Sequence, residues 1–403
     1  MVSSLIEPDG ARQRFAQPLT TRPPAALVWR AMALVAVRMS LHDRLKTAGS
    51  VFGVVFALVL ANQNLATMSF LLHRNTMFVD NSSADLWVVP PGTRVLVGGR
   101  LLPKNALHQA TVVNGVEWAA PVLWRDVIMK LPSGGSEPIT LIGVRAPELR
   151  GGPWNMVAGT PNDLLRPETV IFEDSFRERF GGLNLGDYRE INEQRVVAGG
   201  FTWGLVPFGP PYAFAEFDLA REVTRVDSDQ VNYVLVKLAR GTDAKQAKKA
   251  LQARVPEADV LTADELRSTI TAFVLLEQGI GPMLGTSTML GLIVALAIVS
   301  LTMLSAVLDN IREFGTFKAI GATNRDIMKI LFVQSLLVAA MGTAIGLVLV
   351  AAMARLARSP EVMLPISPVV LGATIVVLTV VSVLAAGLAL ARIRKLEPAM
   401  VFR

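Results

Sequence analysis

The sequence contains no cysteine. That absence removes disulfide frameworks, thiolate zinc sites, iron–sulfur clusters and thiol nucleophiles together, and leaves the chain indifferent to the redox state of its compartment. Histidine is nearly absent too: His42, His73 and His108 are the only three. Their spacing matches neither a zinc-ligating pair on one helical turn nor a hydrolase signature, which argues against a metal- or histidine-based enzyme. Charge is sparse, at 18% of 403 residues, where soluble domains approach about a quarter. What fills the space is apolar, with 52% hydrophobic residues, a composition of neither a disordered chain nor an ordinary soluble domain.

The apolar residues are gathered into runs. A bilayer core needs about 20 of them in helix, and four such stretches occur, from Ala48 to Leu72, within Gln278 to Leu308, from Ile330 to Ala354 and from Pro365 to Ala391. Met1 to Lys46 is long, polar and arginine-rich, and the first run is too long for a cleaved signal, so this is not a signal peptide. The flanking basic residues set orientation. Arg12, Arg14, Arg22, Arg30, Arg38, Arg44 and Lys46 precede the first run; Arg312, Lys318, Arg325 and Lys329 lie between the second and third; Arg392, Arg394, Lys395 and Arg403 follow the fourth. Only Arg355 and Arg358 stand between the third and fourth. The expected order is therefore a cytoplasmic segment 1–47, spans at 48–72, 280–308, 327–354 and 365–391, a large domain 73–277 facing outward, a cytoplasmic connection 309–326, a short outer loop 355–364 and a cytoplasmic tail 392–403. Residues 73–280 hold 22 basic and 25 acidic side chains, so the whole-chain charge of +6 leaves +9 on the membrane-flanking segments. That excess reads as topology and contact with anionic lipid, and nucleic acid is set aside.

The outward segment reads as mixed α and β. Val122–Lys130 and Ile139–Val144 are β-branched runs around Pro132, Ser133, Gly134 and Gly135, a hairpin pattern. Thr169–Phe172 and Val231–Arg240 read as strands. Asp243 caps a helix running to Arg254, Pro256 ends it, and Asp259–Leu261 leads into a further helix from Ala263, giving a β-α-β-α unit. Acidic neighbours such as Glu173 with Asp174 and Asp264 with Glu265 read as solvated helix ends rather than acid–base pairs. Trp87, Trp118, Trp124, Trp154 and Trp203 read as core. Gly199–Tyr212, with Phe201, Trp203, Phe208 and Tyr212 among prolines and glycines, reads as irregular chain, either a partner-binding loop or a buried one.

Three features mark the spans. Asn62, Gln63 and Asn64 are amides at membrane depth that need partners, through helix packing or substrate contact. Gly49 with Gly53, Gly342 with Gly346 and Gly281 with Gly285 form small faces four residues apart that allow helices to approach closely. In the connection, Ile311, Phe314, Phe317 and Ile320 recur every three residues, so a short helix carries one apolar and one charged face. Gly315, Ala319, Gly321 and Ala322 add room for another backbone, whereas a plain interfacial connector would need none.

Glu313-Phe314-Gly315-Thr316-Phe317-Lys318-Ala319-Ile320-Gly321-Ala322 resembles the signature of the MacB/FtsX-like permeases, membrane subunits of type VII ABC transporters. An amphipathic basic segment before the first span, the large insert after it, and the tail Arg392-Ile393-Arg394-Lys395-Leu396-Glu397-Pro398-Ala399 extend the resemblance over nearly the whole chain from Ala25. Ala84-Asp85-Leu86-Trp87-Val88-Val89 and Leu364-Pro365-Ile366 are most similar to the DevC-type exporters. The resemblance implies an α-helical membrane protein with four transmembrane helices and a large mixed α/β periplasmic domain between helices 1 and 2, in the bacterial inner membrane. It implies a homodimer whose connecting helix, through Arg312, Glu313, Phe314, Gly315, Phe317, Lys318, Ala319, Gly321 and Ala322, docks on a separate ABC ATPase. A periplasmic adapter and an outer-membrane channel are implied as further partners. A glycine loop ending in Gly-Lys and a hydroxyl residue occurs nowhere, so ATP and magnesium belong to the partner, and no catalytic residue, metal or cofactor is expected on this chain. Export of an amphiphile leads; lipoprotein extraction, activation of a cell-wall hydrolase, and a ligand sensor without an ATPase are the alternatives.

Overall fold

The computed structural model describes residues 34–38, 44–207, 209–319, 323–356 and 368–393. Among these, three helices are long and apolar enough to cross a membrane: α1, Arg44–Asn81; α6, Ile280–Asp309; and α8, Asn324–Leu356. A further helix, α9, covers Pro368–Ile393, with its apolar stretch at Leu371–Leu384. The N-terminal amphipathic segment up to residue 33, the outer loop with Leu364, Pro365 and Ile366, and the tail beyond residue 393 lie outside the described residues. The short helix α7, Ile311–Ala319, joins α6 to α8.

The expected first span ends at Leu72, but the helix continues to Asn81 without a break. Its last turns stay helical because their apolar side chains, Met77, Phe78 and Val79, are buried in a folded domain instead of meeting water.

The chain divides into two compact units, one of residues 1–57, 293–346 and 376–403, the other of residues 58–292 and 347–375. Within the second unit lies the α/β domain. Its strands are β1 Leu86–Val89, β2 Leu102–Pro103, β3 Val116–Lys130, β4 Ser136–Val144, β5 Met156–Ala158, β6 Thr169–Glu173, β7 Tyr188–Ile191, β8 Gln194–Thr202, β9 Tyr212–Glu216, β10 Gln230–Val231, β11 Tyr233–Leu238 and β12 Asp259–Thr262. Ten of them form one sheet in the order β12-β1-β11-β3-β4-β9-β6-β8-β5, with β7 bridging β3 and β8; β2 and β10 pair separately. β3 and β4 make the expected hairpin, in register from Val122 opposite Val144 to Lys130 opposite Ser136. β1 pairs antiparallel with both β11 and β12 and stands between them, so the β-α-β unit is split by a strand from just after α1.

Alternation along β3 shows how the sheet divides the domain. Leu123, Val127 and Met129 enter one core, where α2 (Asn105–Thr111), α3 (Phe217–Thr224) and α4 (Ala244–Arg254) cover the sheet. Val122 and Trp124 enter the other, where the end of α1 and helix α5 (Ala263–Ala272) pack. Asp243 caps α4 by accepting from the Lys245 amide at 2.9 Å, as its position after Gly241 and Thr242 predicts. α5 opens on a capping box between Thr262 and Glu265.

Several expectations are corrected. Gly199–Thr202 is not irregular but the end of β8, and Tyr212 begins β9; Phe201 and Tyr212 are both buried, so neither is available to a partner. Gly199 and Gly200 permit a strand here because neighbouring chain presses close: a methyl built on Gly200 falls 2.9 Å from the Ala158 carbonyl oxygen. Trp203 is half-buried, and Phe208 lies outside the described residues. Glu173 is not a solvated helix end either. It is fully buried, and its carboxylate accepts from the Gly204 and Leu205 amides at 2.7 and 3.0 Å and from the hydroxyls of Thr202 and Ser175 at 3.0 and 2.9 Å. Four donors replace the water that burial removes, and they fix the start of the loop after β8.

Candidate coupling helix and its transmission path

The connecting helix is short because its ends are set by sequence. Asn310 separates it from α6, and Thr323 caps α8 by donating its amide and hydroxyl to the Asp326 carboxylate at 3.1 and 2.7 Å. The helix therefore spans Ile311–Ala319, and the expected single element 309–326 is divided between α7 and the capped start of α8. Arg312, Glu313 and Ala319 are exposed, Gly315 is half-buried, and Phe314, Phe317 and Lys318 stand on the same helix. Gly321 and Ala322 lie outside the described residues. The root of this helix is tied to the start of α1 by an ion pair between Lys46 and Asp309.

Within each compact unit α1 and α6 also meet side by side. A methyl built on Gly49 meets Thr302 at 3.4 Å, one on Gly53 meets Ile298 at 3.0 Å, and one on Gly291 falls 2.5 Å from Leu60 Cδ2. The Asn64 amide donates to the hydroxyls of Ser287 and Thr288, both at 3.1 Å, and the Ser50 and Thr302 hydroxyls bond each other. Pairing is antiparallel in each unit, 49 with 302 and 53 with 298 in the first, 60 with 291 and 64 with 287 in the second. Gly342 of α8 packs on the other side of α1, where its added methyl would lie 2.7 Å from Val54. Of the polar trio, Asn64 is thus a packing residue, Gln63 bonds Thr67 at 3.5 Å within its own helix, and the buried Asn62 amide nitrogen has no hydrogen-bond partner. Gly281 packs against the Leu275 carbonyl oxygen, and a methyl built on Gly285 meets nothing within 4 Å among the described residues, so there that glycine pair does not join helices. Gly291, which the four-residue spacing did not single out, leaves room on α6 for the Leu60 side chain of α1.

At the far end α1 enters the α/β domain as a wedge. The Phe78 ring lies 5.0 Å from Trp124, 5.9 Å from Trp87, 6.0 Å from Trp154 and 6.4 Å from Tyr212, mostly edge to face. Burial pushes the Tyr212 and Tyr233 hydroxyls up, so both stay neutral beneath this cluster. Asp80, in the last turn of α1, accepts from Arg267 of α5 at 2.8 Å, and that bond raises the guanidinium further.

α6 joins the domain differently. After α5 the backbone widens into a π-helical turn at Phe273–Glu277, then Gly279 takes a left-handed conformation with φ +73° before α6 begins. Arg94, from the loop after β1, forms an ion pair with Glu277 in that turn. One apolar helix is thus continuous with the domain, and the other meets it at a joint.

Residues 47–254 match the MacB-like periplasmic core domain, and residues 286–398 match the FtsX-like permease C-terminal region. The chain belongs to the MacB/FtsX-like permease family. The FtsX-like match takes in α7, α8 and α6 from residue 286 onward, and the MacB-like match begins at the fourth residue of α1. This permease is similar to an uncharacterized ABC transporter permease of Mycobacterium tuberculosis, annotated alike in strains H37Rv and CDC 1551, at 23% identity over 359 residues, covering 87% of this chain and 93% of the relative. Among solved structures it is similar to the periplasmic region of MacB from Actinobacillus actinomycetemcomitans, with 12% identity and a TM-score of 0.37 over 46% of this chain and 92% of that one. It is also similar to the extracellular domain of the noncanonic ABC-type transporter YknZ from Gram-positive bacteria, with 15% identity and a TM-score of 0.33 over 44% and 98%. As an ABC transporter permease of the MacB/FtsX type, the chain is a membrane protein of a family of transporter subunits that are generally not catalysts.

Proposed function

We propose that this chain is a mechanical transmitter: a separate ABC ATPase grips α7, ATP-driven closure displaces α1 and α6, and the α/β domain outside the membrane moves an amphiphilic substrate onward. Four spans, with α9 as the fourth, place both termini and α7 in the cytoplasm. The permease works as a homodimer in the inner membrane, and its domain couples to a periplasmic adapter and an outer-membrane channel. ATP and magnesium reside on the ATPase.

The observation that carries this reading is α1 itself. One unbroken helix from Arg44 to Asn81 begins beside the root of α7 and ends with Phe78 among four aromatic rings. A helix of 38 residues is roughly 57 Å long, enough to cross the hydrocarbon and still reach into a domain beyond it. Displacement at its inner end has no flexible segment in which to dissipate.

The test is substitution on α7. Glu313→Ala with Gly315→Leu is expected to leave the permease assembled in the membrane, to loosen its copurification with the ATPase, and to separate ATP hydrolysis from export. Normal export by that double variant removes the gripping role. Mild-detergent purification containing no ATPase favours a ligand sensor; an associated hydrolase or lipoprotein chaperone in place of an adapter favours the extraction and activation alternatives.

A further inference from the structure

We infer that the loop of residues 90–101 is a membrane-contact element, pressing an apolar tip into the outer-leaflet interface of the bilayer that α1 and α6 cross. The inference rests on the spanning reading above and adds a second point of contact between the domain and lipid.

The loop is built, not slack. Pro90, Pro91 and Gly92 turn the chain out of β1, with Gly92 at φ +70° and its amide donating to the Asp259 carboxylate at 2.7 Å. The Arg100 guanidinium closes the loop on the Pro91 carbonyl oxygen at 2.6 Å. At the tip, the Val97 amide donates to the Tyr233 hydroxyl at 3.0 Å, and that hydroxyl donates to the Val97 carbonyl oxygen at 2.8 Å. Gly98 lies so close to β3 that an added methyl would overlap the Trp124 carbonyl oxygen. Leu96 is buried in the core that receives α1, so its neighbour Val97 projects the other way, with 52% of its surface exposed.

Its position supplies the occupant. Arg94 pairs with Glu277, three residues before the apolar stretch of α6 begins at Ile280. Next to Glu277, Leu276 is 71% exposed. The register of Leu60 with Gly291 and Asn64 with Ser287 puts residue 280 level with residue 71, near the end of the apolar run of α1. Leu276 therefore stands just before the level at which both helices leave hydrocarbon, and the loop that carries Val97 is tethered beside it through Arg94, where apolar side chains can partition into the headgroup boundary.

Because the chain has no cysteine, single cysteines carry a nitroxide without background. Full-length permease with Val97→Cys, Leu276→Cys, Leu290→Cys or Val112→Cys is reconstituted in phosphatidylcholine–phosphatidylglycerol vesicles, and collision with oxygen is compared with collision with a water-soluble nickel chelate. Leu290 is 62% exposed within α6, and Val112 is 57% exposed on the sheet face away from α1. The oxygen-to-nickel ratio is expected to be highest at Leu290 and several-fold higher at Val97 and Leu276 than at Val112. If Val97 and Leu276 match Val112 while Leu290 reports lipid, the contact is overturned and the spanning helix stands. If Leu290 also reports water, both fall.

Discussion

The two ends of the α/β domain are attached by opposite means. On the α1 side there is no joint: helix, aromatic wedge and sheet form one packed body, with Phe78 surrounded by Trp87, Trp124, Trp154 and Tyr212. On the α6 side the backbone changes from α to π geometry and then reverses at Gly279, around which there is open space. A domain clamped at both ends could be strained but not swung; one loose at both ends could not be driven. On the transmitter reading proposed above, one stiff and one yielding attachment would let a displaced α1 carry the domain while the α6 junction takes up the difference in angle.

The sharpest way to break this contrast is to remove the wedge. Phe78→Ala deletes a fully buried ring from a core that cannot collapse around its absence and is expected to destabilise the domain by about 3–5 kcal/mol, read as a lowered unfolding midpoint. Leu276→Ala, on the other attachment and exposed, is the matched control and is expected to change stability by less than about 0.5 kcal/mol. Equal losses at the two positions would mean that α1 is not the stiff side.

A smaller effect tests the yielding side. Gly279→Ala keeps the chain length but places a Cβ at φ +73°, with an expected destabilisation of about 1–2 kcal/mol. Gly279→Asn, whose side chain tolerates the left-handed region, is expected to recover part of that loss. In transport, both variants are expected to retain ATPase binding, since the joint is remote from α7 in sequence; abolished copurification would mean that Gly279 serves assembly instead of articulation.

Much of this was legible beforehand because the physics was local. Uninterrupted apolar length marked three helices long enough to cross a membrane, β-branched runs around Gly134 and Gly135 marked the β3–β4 hairpin, and Asp243 with Pro256 bracketed α4. The charged and apolar alternation at Arg312–Ala319 marked a short helix, although its end needed Thr323 and Asp326, a capping pair that belongs to the next element. What escaped reading was decided by contacts distant in sequence. Nothing near Met77, Phe78 and Val79 announces that they leave the membrane for a core whose other rings come from Trp124 and Tyr212. Phe201 and Tyr212 sit among glycines and prolines that read as loop, yet pairing of β8 with β6 and of β9 with β4 makes them strand residues. Glu173 looked solvated because its four donors, three of them about thirty residues away, become neighbours only when the sheet forms. The β7–β8 hairpin turns on Asn192-Glu193, both at positive φ, without the glycine that usually marks such a turn.

The smallest expected effect concerns α5, the helix between the two attachments. Glu265 caps its first turn and accepts from Lys248 at 2.5 Å and from the Thr262 amide at 2.8 Å. The Lys248 bond, and next the Thr262 amide, hold its carboxyl below the usual glutamate value. A carboxylate with a depressed value contributes stability that is fully present above the unfolded value, about 4.3, and is lost as pH falls through the lower folded value. Both side chains are partly exposed, so solvent screening keeps the pair small. Lys248→Met is therefore expected to lower stability at neutral pH by about half a kcal/mol, and the gap from the unsubstituted chain is expected to close as the medium is acidified below about pH 4. A gap that persists unchanged into acid would mean that the loss does not come from the Lys248–Glu265 charge pair, and would leave α5 held by the Arg267–Asp80 bond to α1. In that case the stiff attachment extends one helix further toward the joint, and Arg267→Met becomes the substitution that separates the two ends of the domain.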